Sequence, residues 1–274
     1  MAKKALCIGI NNFKNYPENA LNGCVNDAND MKKLLIKYLG FNEKEIIKLT
    51  DSMATKENIM KNLKEMVEGA KNGKYETLAF SLSSHGTQIP DTSGDESDRS
   101  DEAFCPHDLA AKGNMWDPDH IIIDDELHDL FTQLPEKVSL EVYLDTCHSG
   151  SGLKAMEPLT DRNPRYIQPP SATAFKKIDI IPKMAQPLIN DKADQILWAA
   201  CKSDQTSADA LIDGAYHGAF TYFFCKELKT NKNKISRDAL LKMVAADLKA
   251  GKYNQIPQLE CDATTRDVNL EIKE

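Results

Sequence analysis

The sequence predicts an α/β fold in which a largely parallel sheet carries helices on both faces. Short apolar runs typical of buried strands alternate with segments of helical periodicity along most of the chain. Two of these strands end directly before residues with reactive side chains, His85 and Cys147. The length of 274 residues, 41% of them hydrophobic, is enough for one large α/β domain.

The first elements follow one another in regular alternation. Ala5–Ile10 is an apolar run that predicts a buried strand. Over Val25–Tyr38 apolar residues recur at helical spacing, and Gly40 follows as a terminator. Glu45–Leu49 predicts a short second strand, and another helix begins at Thr55.

The middle of the chain contains the reactive residues. Leu78–Leu82 predicts a strand that leads to His85, and an acidic loop, Asp91–Glu102, comes after it. Asp124–Leu134 predicts a helix, and Glu141–Leu144 is the strand before Cys147. In open parallel sheets, sites lie at the carboxyl ends of the strands, where both side chains are predicted to be.

The regular pattern stops between Gly150 and Asp191, a proline-containing stretch that we interpret as a surface linker. Regular structure then resumes. The predicted elements are a strand at Gln195–Ala200, helices at Ala219–Leu228 and Ser236–Leu248, and a last strand at Gln258–Cys261.

Composition limits the classes of partner and compartment. The formal charge of −8 argues against nucleic acid, because phosphate binding needs a basic face. We expect no membrane insertion, since no apolar stretch reaches the length of a span. The seven cysteines are scattered without a C-x-x-C pair, which favours a reducing, cytoplasmic location over a zinc site or a disulfide framework.

A thiol and an imidazole at two strand ends are the parts of a cysteine nucleophile and its base. The backbone N–H groups of Cys147 and Gly86 could together bind the oxyanion that forms when a carbonyl is attacked. Cys147 and His85 could equally be ordinary core residues, and the residues alone leave both interpretations open.

The motifs around these residues closely resemble the caspase-like cysteine peptidases, specifically the metacaspase branch, of bacterial or protist type. Ser84-His85-Gly86 and Asp145-Thr146-Cys147-His148-Ser149-Gly150 carry the resemblance most strongly. Further similar segments, in the same order, are Ala20–Ala28, Asp101–Pro106, Ile123–Leu127, Ala200–Ala208 and His217–Thr221. The resemblance implies about six mostly parallel strands, a large-subunit-like part (1–153), a linker (154–193) and a small-subunit-like part (194–274). It also implies that His85 and Cys147 are the catalytic dyad.

An acidic pocket beside the nucleophile would define the substrate. Asp145 lies two residues before Cys147 and therefore on the same side of its strand. The resemblance adds Asp27 and Ser83 to this pocket, although Asp27 could instead cap a helix. Two carboxylates select a cation, so we predict peptide or protein substrates that are cleaved after Arg or Lys.

The resemblance also implies self-cleavage in the linker and a response to calcium. The candidate cleavage sites are Lys154, Arg162, Arg165, Lys176, Lys177 and Lys183, of which Arg165 looks the most exposed. Asp108, Asp124 and Asp125 match part of a calcium cluster, whereas Lys154 stands where the family commonly has another aspartate. No cofactor is needed for the chemistry, and calcium would act as an activator.

Two alternatives remain open at this point. The chain could be a catalytically silent, caspase-like interaction module, which the presence of both dyad residues disfavours. It could also be a thiol amidohydrolase that acts on small amides with the same cysteine. We expect a monomer, as is general for metacaspases.

Overall fold

The computed structural model describes residues 2–90, 100–147, 162–171, 188–189, 194–203 and 205–270. In chain order the strands are β1 (Lys3–Gly9), β2 (Ile46–Thr50), β3 (Thr77–Ser83), β4 (Gly86–Pro90), β5 (Ser100–Phe104), β6 (Ala111–Lys112), β7 (Met115–Trp116), β8 (Ile122–Ile123), β9 (Ser139–Asp145), β10 (Arg162–Pro164), β11 (Gln195–Ala199), β12 (Ala208–Ile212), β13 (Ala215–Gly218) and β14 (Gln258–Glu260). The helices are α1 (Cys24–Tyr38), α2 (Lys56–Lys71), α3 (Asp124–Phe131), α4 (Ala219–Thr230), α5 (Arg237–Ala250) and α6 (Ala263–Arg266).

A six-stranded sheet with the order β14-β11-β9-β3-β1-β2 forms the centre of the molecule. The strands from β11 to β2 run parallel, and β14 runs antiparallel to β11. The strands β3 and β9 lie side by side in the middle, with Ser83 opposite Asp145. Their carboxyl ends therefore open at the same edge of the sheet.

Both faces of the sheet are covered because successive side chains of a strand point to opposite sides. Leu6 and Ile8 of β1 pack in the cluster that includes side chains of α2 and α3. Ala5 and Cys7 pack in the second cluster, with side chains of α1, α4 and α5. The predicted fold class, an α/β sheet flanked by helices on both faces, is confirmed.

The boundaries of the main elements lie close to the predicted ones, with α3 as the clearest difference. This helix ends at Phe131 rather than Leu134. Gln133 and Leu134 donate to carbonyls three residues back, which tightens the last turn before Pro135. A residue that precedes proline is disfavoured in the helical conformation, so the periodic pattern continues further than the helix does.

Smaller sheets, which the sequence did not predict, surround the carboxyl edge of the main sheet. The strands β4, β5 and β8 form one of them, and β10, β12 and β13 form another. The β6–β7 pair is a short antiparallel ribbon. No helix in the described parts of the chain has the length and apolar character needed to cross a membrane.

Candidate active site

His85 and Cys147 lie at the same edge of the two central strands. Each comes two residues after one member of the opposed pair Ser83 and Asp145. Both side chains are buried, at 4% and 0% exposure. The sheet register therefore places at one edge the two residues that the family resemblance assigned to the dyad.

One of the two ring nitrogens of His85 is hydrogen-bonded to the protein. Its Nε2 lies 2.8 Å from the carbonyl oxygen of Asn19, so Nε2 carries the proton and donates it. Its Nδ1 is buried and has no hydrogen-bond partner among the described residues. Burial lowers the pKa of His85 to about 4, which leaves the ring neutral at pH 7. Nδ1 thus presents a lone pair that could accept a proton.

The sulfur of Cys147 contacts the backbone of Ser207. The Ser207 N–H donates to Sγ at 2.6 Å, and Sγ lies 3.2 Å from the Ser207 carbonyl oxygen. Ser207 directly precedes β12. Ser207 is buried, so the small β10-β12-β13 sheet covers the thiol on this side.

Two backbone N–H groups converge on one carbonyl oxygen. Gly86 N donates to the carbonyl oxygen of Arg165 at 2.9 Å, and Cys147 N donates to the same oxygen at 3.3 Å. The close approach requires glycine at position 86, because a Cβ there would lie 1.7 Å from the Cys147 carbonyl oxygen. This is the geometry expected of an oxyanion site.

The Arg165 side chain fills an acidic pocket beside the dyad. Its Nη2 lies 2.7 Å from Asp27 Oδ2, and its Nη1 lies 3.2 Å from Asp145 Oδ1. Ser83 Oγ lies 3.4 Å from Nη1 and itself donates to Asp27 at 3.0 Å. The three residues predicted to line the pocket therefore surround one guanidinium group.

A third carboxylate, which the sequence did not predict, completes the pocket. Asp209 Oδ1 lies 3.1 Å from Arg165 Nη2, and the Asp209 side chain is fully buried. The backbone N–H groups of Asn22 and Gly23 donate to its two oxygens at 2.9 Å each. The motif residues around Asp209 include no signal for this role, because Asp209 lies in an ordinary strand of five residues, β12.

Protein hydrogen bonds fix the other two carboxylates. Gly218 N donates to Asp27 at 3.0 Å, and no side-chain cap is present at the start of α1, so the capping alternative for Asp27 is not supported. Burial opposes its ionisation, but Arg165 and the hydrogen bonds outweigh burial and lower the pKa of Asp27. Asp145 accepts from Ser207 Oγ at 2.5 Å and from Thr221 Oγ1 at 2.7 Å. Burial is the largest effect on Asp145 and raises its pKa.

The segment around Arg165 is bound like an extended peptide. Residues Arg162–Pro164 form β10, antiparallel to β12, and Arg165 N donates to the Ser207 carbonyl oxygen at 3.0 Å. Beyond Arg165, Ile167 N donates to the Gly86 carbonyl oxygen at 3.0 Å. The expectation that Arg165 is exposed is wrong: its exposure is 0%. The ion pairs with the pocket and the strand pairing with β12 hold it inside the protein.

Several other residues singled out from the sequence lie outside the described residues. This applies to the candidate cleavage residues Lys154, Lys176, Lys177 and Lys183, and to His148 beside the nucleophile.

The structure does not combine the three aspartates predicted for calcium into one ligand set. Asp108 accepts from Lys56 N at 2.9 Å and lies 3.0 Å from His120 Nδ1. Asp124 begins α3, where burial and then the charges of Glu102, Asp125 and Asp101 raise its pKa to about 8. Within the described ranges, no three His, Cys, Asp or Glu side chains form a group that could hold a metal ion.

Comparison with known proteins identifies a family. A family model described as "Caspase domain" matches residues 2–269. The chain is 33% identical to Metacaspase-1 of Cryptococcus neoformans var. neoformans over 94% of its length, and 31% identical to Metacaspase-1 of Pyricularia oryzae, also over 94%. It spans 62% of the first relative and 71% of the second.

Solved structures share the fold. A crystal structure of a protein from Geobacter sulfurreducens aligns over all of both chains with a TM-score of 0.71 and 23% identity. Caspase-1 from Spodoptera frugiperda aligns with a TM-score of 0.61 and 14% identity, over 99% of this chain and 90% of that one. Because the identities are low, these two likenesses concern the fold alone.

Proposed function

The chain belongs to the caspase-domain family of cysteine peptidases, and we propose that it is an endopeptidase that cleaves after arginine or lysine. Its nucleophile is Cys147, its base is His85, and its substrates are peptides or proteins. The observation that carries the proposal is the arrangement of Arg165, whose side chain is paired with buried carboxylates while its carbonyl oxygen accepts from Gly86 N and Cys147 N.

The reaction begins with transfer of the Cys147 thiol proton to His85 Nδ1. The sulfur leaves its contact with Ser207 and bonds to the carbonyl carbon, and the developing oxyanion accepts from the N–H groups of Gly86 and Cys147. The protonated imidazole then gives its proton to the amide nitrogen as the C–N bond breaks, which leaves a thioester on Cys147. Water, deprotonated by His85, hydrolyses the thioester and releases a carboxylic acid.

Preference for a basic residue follows from the charge of the pocket. Three buried carboxylates surround the Arg165 guanidinium, and a neutral or acidic side chain would leave them unpaired. Removing one partner of such a buried ion pair costs several kcal/mol. Binding of an uncharged side chain in the pocket is disfavoured for the same reason, because the buried carboxylates lack a cation. Arginine also supplies the planar, multiple donors that this arrangement uses, whereas lysine supplies a point charge.

We further propose that the enzyme cleaves its own Arg165–Tyr166 bond. Arg165 lies fully buried in the pocket, and the chain runs on past the oxyanion site to Ile167. Until the bond is cut, this segment occupies the position of a substrate. The uncut chain is therefore latent toward other peptides.

The first test uses fluorogenic tetrapeptides that end in Arg, Lys or Asp before the aminomethylcoumarin group. Arg165→Ala removes the side chain that anchors the segment in the pocket, so we expect this uncut variant to admit and hydrolyse the Arg and Lys peptides and to leave the Asp peptide intact. Adding Cys147→Ala to the same background should abolish turnover. Turnover of the Asp peptide would contradict the specificity, and failure to hydrolyse any of the three would contradict the endopeptidase proposal.

The second test follows self-cleavage by intact mass spectrometry of the purified chain. We expect fragments 1–165 and 166–274 from the unmodified chain and neither from Cys147→Ala. Arg165→Ala should remove this cut, while Lys202→Ala, a change at an exposed basic residue, should leave it in place. A cut elsewhere in the linker, with residue 165 still joined to 166, would contradict the assignment of this bond.

Stimulation by calcium remains a prediction from the family resemblance. Turnover of the Arg peptide in the presence of CaCl₂ or of EGTA tests it directly. Equal rates in the two conditions would contradict it, without consequence for the dyad or the pocket.

A further inference from the structure

We propose that the enzyme has a second arginine subsite, which binds the fourth residue before the cleaved bond. This inference rests on the proposed function, because it treats the segment up to Arg165 as a bound substrate. Arg162 occupies that fourth position. Its guanidinium group stacks over the Tyr253 ring, 3.9 Å from the ring centroid.

The same guanidinium group is also held by two backbone carbonyls. Arg162 Nη1 donates to the Lys252 carbonyl oxygen at 2.7 Å, and Nη2 donates to the Gly251 carbonyl oxygen at 2.7 Å. Only arginine offers two parallel N–H donors on a planar group whose face can also stack on an aromatic ring. A lysine at this position would keep its charge but lose the paired donors and the stacking.

The subsite is built into the turn that ends α5. Gly251 N, Lys252 N and Tyr253 N donate to carbonyls of the last helical residues at 2.8, 3.0 and 2.9 Å. These bonds use the N–H groups of the turn, so the carbonyl oxygens of Gly251 and Lys252 can accept hydrogen bonds from donors outside the helix. The carboxyl end of a helix also carries partial negative charge, which favours a cation there.

The spacing of the two arginines follows from the extended backbone. Arg162, Asn163 and Pro164 pair with β12 in antiparallel register, so the peptide crosses from the α5 turn to the acidic pocket as an added strand. Neither intervening side chain has a comparable contact in the described structure, and Asn163 is exposed. The substrate class is therefore a peptide with arginine before the cut and another arginine three residues earlier.

The test uses the Arg162→Ala/Arg165→Ala chain, whose own segment has lost both anchoring side chains. Its kcat/KM is measured for acetyl-Arg-Asn-Pro-Arg-aminomethylcoumarin and for the peptides with Ala or Lys in the first position. We expect the Arg peptide to be turned over roughly ten times more efficiently than the Ala peptide, with the Lys peptide between them. In the same background, Tyr253→Ala should remove most of this preference and Tyr253→Phe, which keeps the ring, should retain it.

The outcomes separate this inference from the proposed function. Equal turnover of the Arg and Ala peptides overturns the second subsite and leaves the peptidase intact. A preference that survives in Tyr253→Ala overturns the assignment to the α5 turn. Absence of turnover of all three peptides overturns the peptidase proposal and the subsite with it.

A measurement on the full chain keeps the inference testable if the double variant does not fold. Arg162→Ala should slow self-cleavage at Arg165–Tyr166 by roughly tenfold, since it removes the stacking and both donors. Asn163→Ala, the neighbouring exposed residue, should cleave at the unmodified rate. An unchanged rate in Arg162→Ala overturns the subsite.

Discussion

Three buried carboxylates around one guanidinium group form the most unusual feature at the scale of single residues. The pocket carries more negative charge than Arg165 neutralises, and the environment of each acid differs. Asp209 accepts two backbone N–H groups and Asp27 accepts the Gly218 N–H and the Ser83 hydroxyl, whereas Asp145 accepts two hydroxyls and the Thr221 N–H. Burial raises the pKa of Asp145, so the excess charge is relieved most easily at this residue.

Asp209 should contribute to arginine binding as much as the two acids that the motifs reveal. Asp209→Asn keeps one oxygen for the loop at Asn22 and Gly23 but removes the charge beside Nη2. In the Arg165→Ala background, we expect this substitution to lower kcat/KM for an Arg peptide roughly 10- to 100-fold. A loss of this size is typical when a hydrogen bond to a charged group is removed. Asp129→Asn, an exposed acid on α3, should have no effect, and equal values for the two variants would remove Asp209 from the binding set.

Sequence reasoning reached most of this site because the motif residues lie on neighbouring strands. His85, Cys147 and Asp145 follow apolar runs, and alternation along a strand places Asp145 beside the nucleophile. The role of Asp209 could not be predicted, since its contact joins β12 to the loop before α1, 187 residues away in the sequence. The burial of Arg165 could not be predicted from the sequence either, because ion pairs hold this side chain in place and its segment has no apolar periodicity.

At the scale of elements, a buried ion pair fixes α5 to the sheet. Arg237 opens this helix, and its Nε lies 3.1 Å from Oε1 of Glu141 on β9, which also accepts from Nη2. Tyr143 donates to the other oxygen of the same carboxylate. The far end of α5 contacts Arg162, so the position of this helix affects both the stability of the sheet and the turn at residues 251–253.

Breaking this ion pair should be costly. Arg237→Ala leaves the Glu141 carboxylate buried without its cation, and we expect the free energy of unfolding to fall by about 3–5 kcal/mol. Lys242→Ala on the same helix removes an exposed pair with Asp238 and should cost under about 1 kcal/mol. Urea denaturation of the Cys147→Ala chain, which avoids self-cleavage, measures both, and similar values for the two variants would argue against a structural role for the buried pair.

Five of the six strands of the main sheet could be predicted from apolar runs long enough to recognise, whereas the last, β14, is the short polar strand Gln258–Glu260. The smaller sheets could not be predicted: β6, β7 and β8 have two residues each, and β10 contains a proline. Their strands form because the neighbouring chain supplies partners, which is a tertiary effect. These sheets nevertheless position Gly86, Ser207 and Arg165, so the least predictable elements shape the site most directly.

At the scale of the whole molecule, the proposed cut falls between two parts that share one sheet. β9 lies before the Arg165–Tyr166 bond, and β11 and β14 lie after it, yet β9 and β11 are paired along five residues. The cluster that contains Ala5 and Met31 also contains Phe224 and Leu248 from the second part. Cleavage therefore opens the chain without removing the contacts that hold the core together.

We accordingly expect the cut protein to remain one particle. Size-exclusion chromatography with light scattering should give the mass of a single chain, 30.6 kDa, both for Cys147→Ala and for the self-cleaved protein. The two fragments should separate only in denaturant. Separate elution of the fragments under native conditions would contradict the shared sheet, and twice this mass would contradict the expected monomer.

The contact of Gly86 N and Cys147 N with the Arg165 carbonyl oxygen also bears on the kinetics of the proposed self-cleavage. If the proposed cut is made within a single chain, it is a unimolecular event, and the half-life of the uncut form is then independent of dilution. Adding more protein would yield more active enzyme but would not make it appear sooner. Each molecule would activate after its own delay, set by how quickly its thiol reaches a carbonyl group already in position.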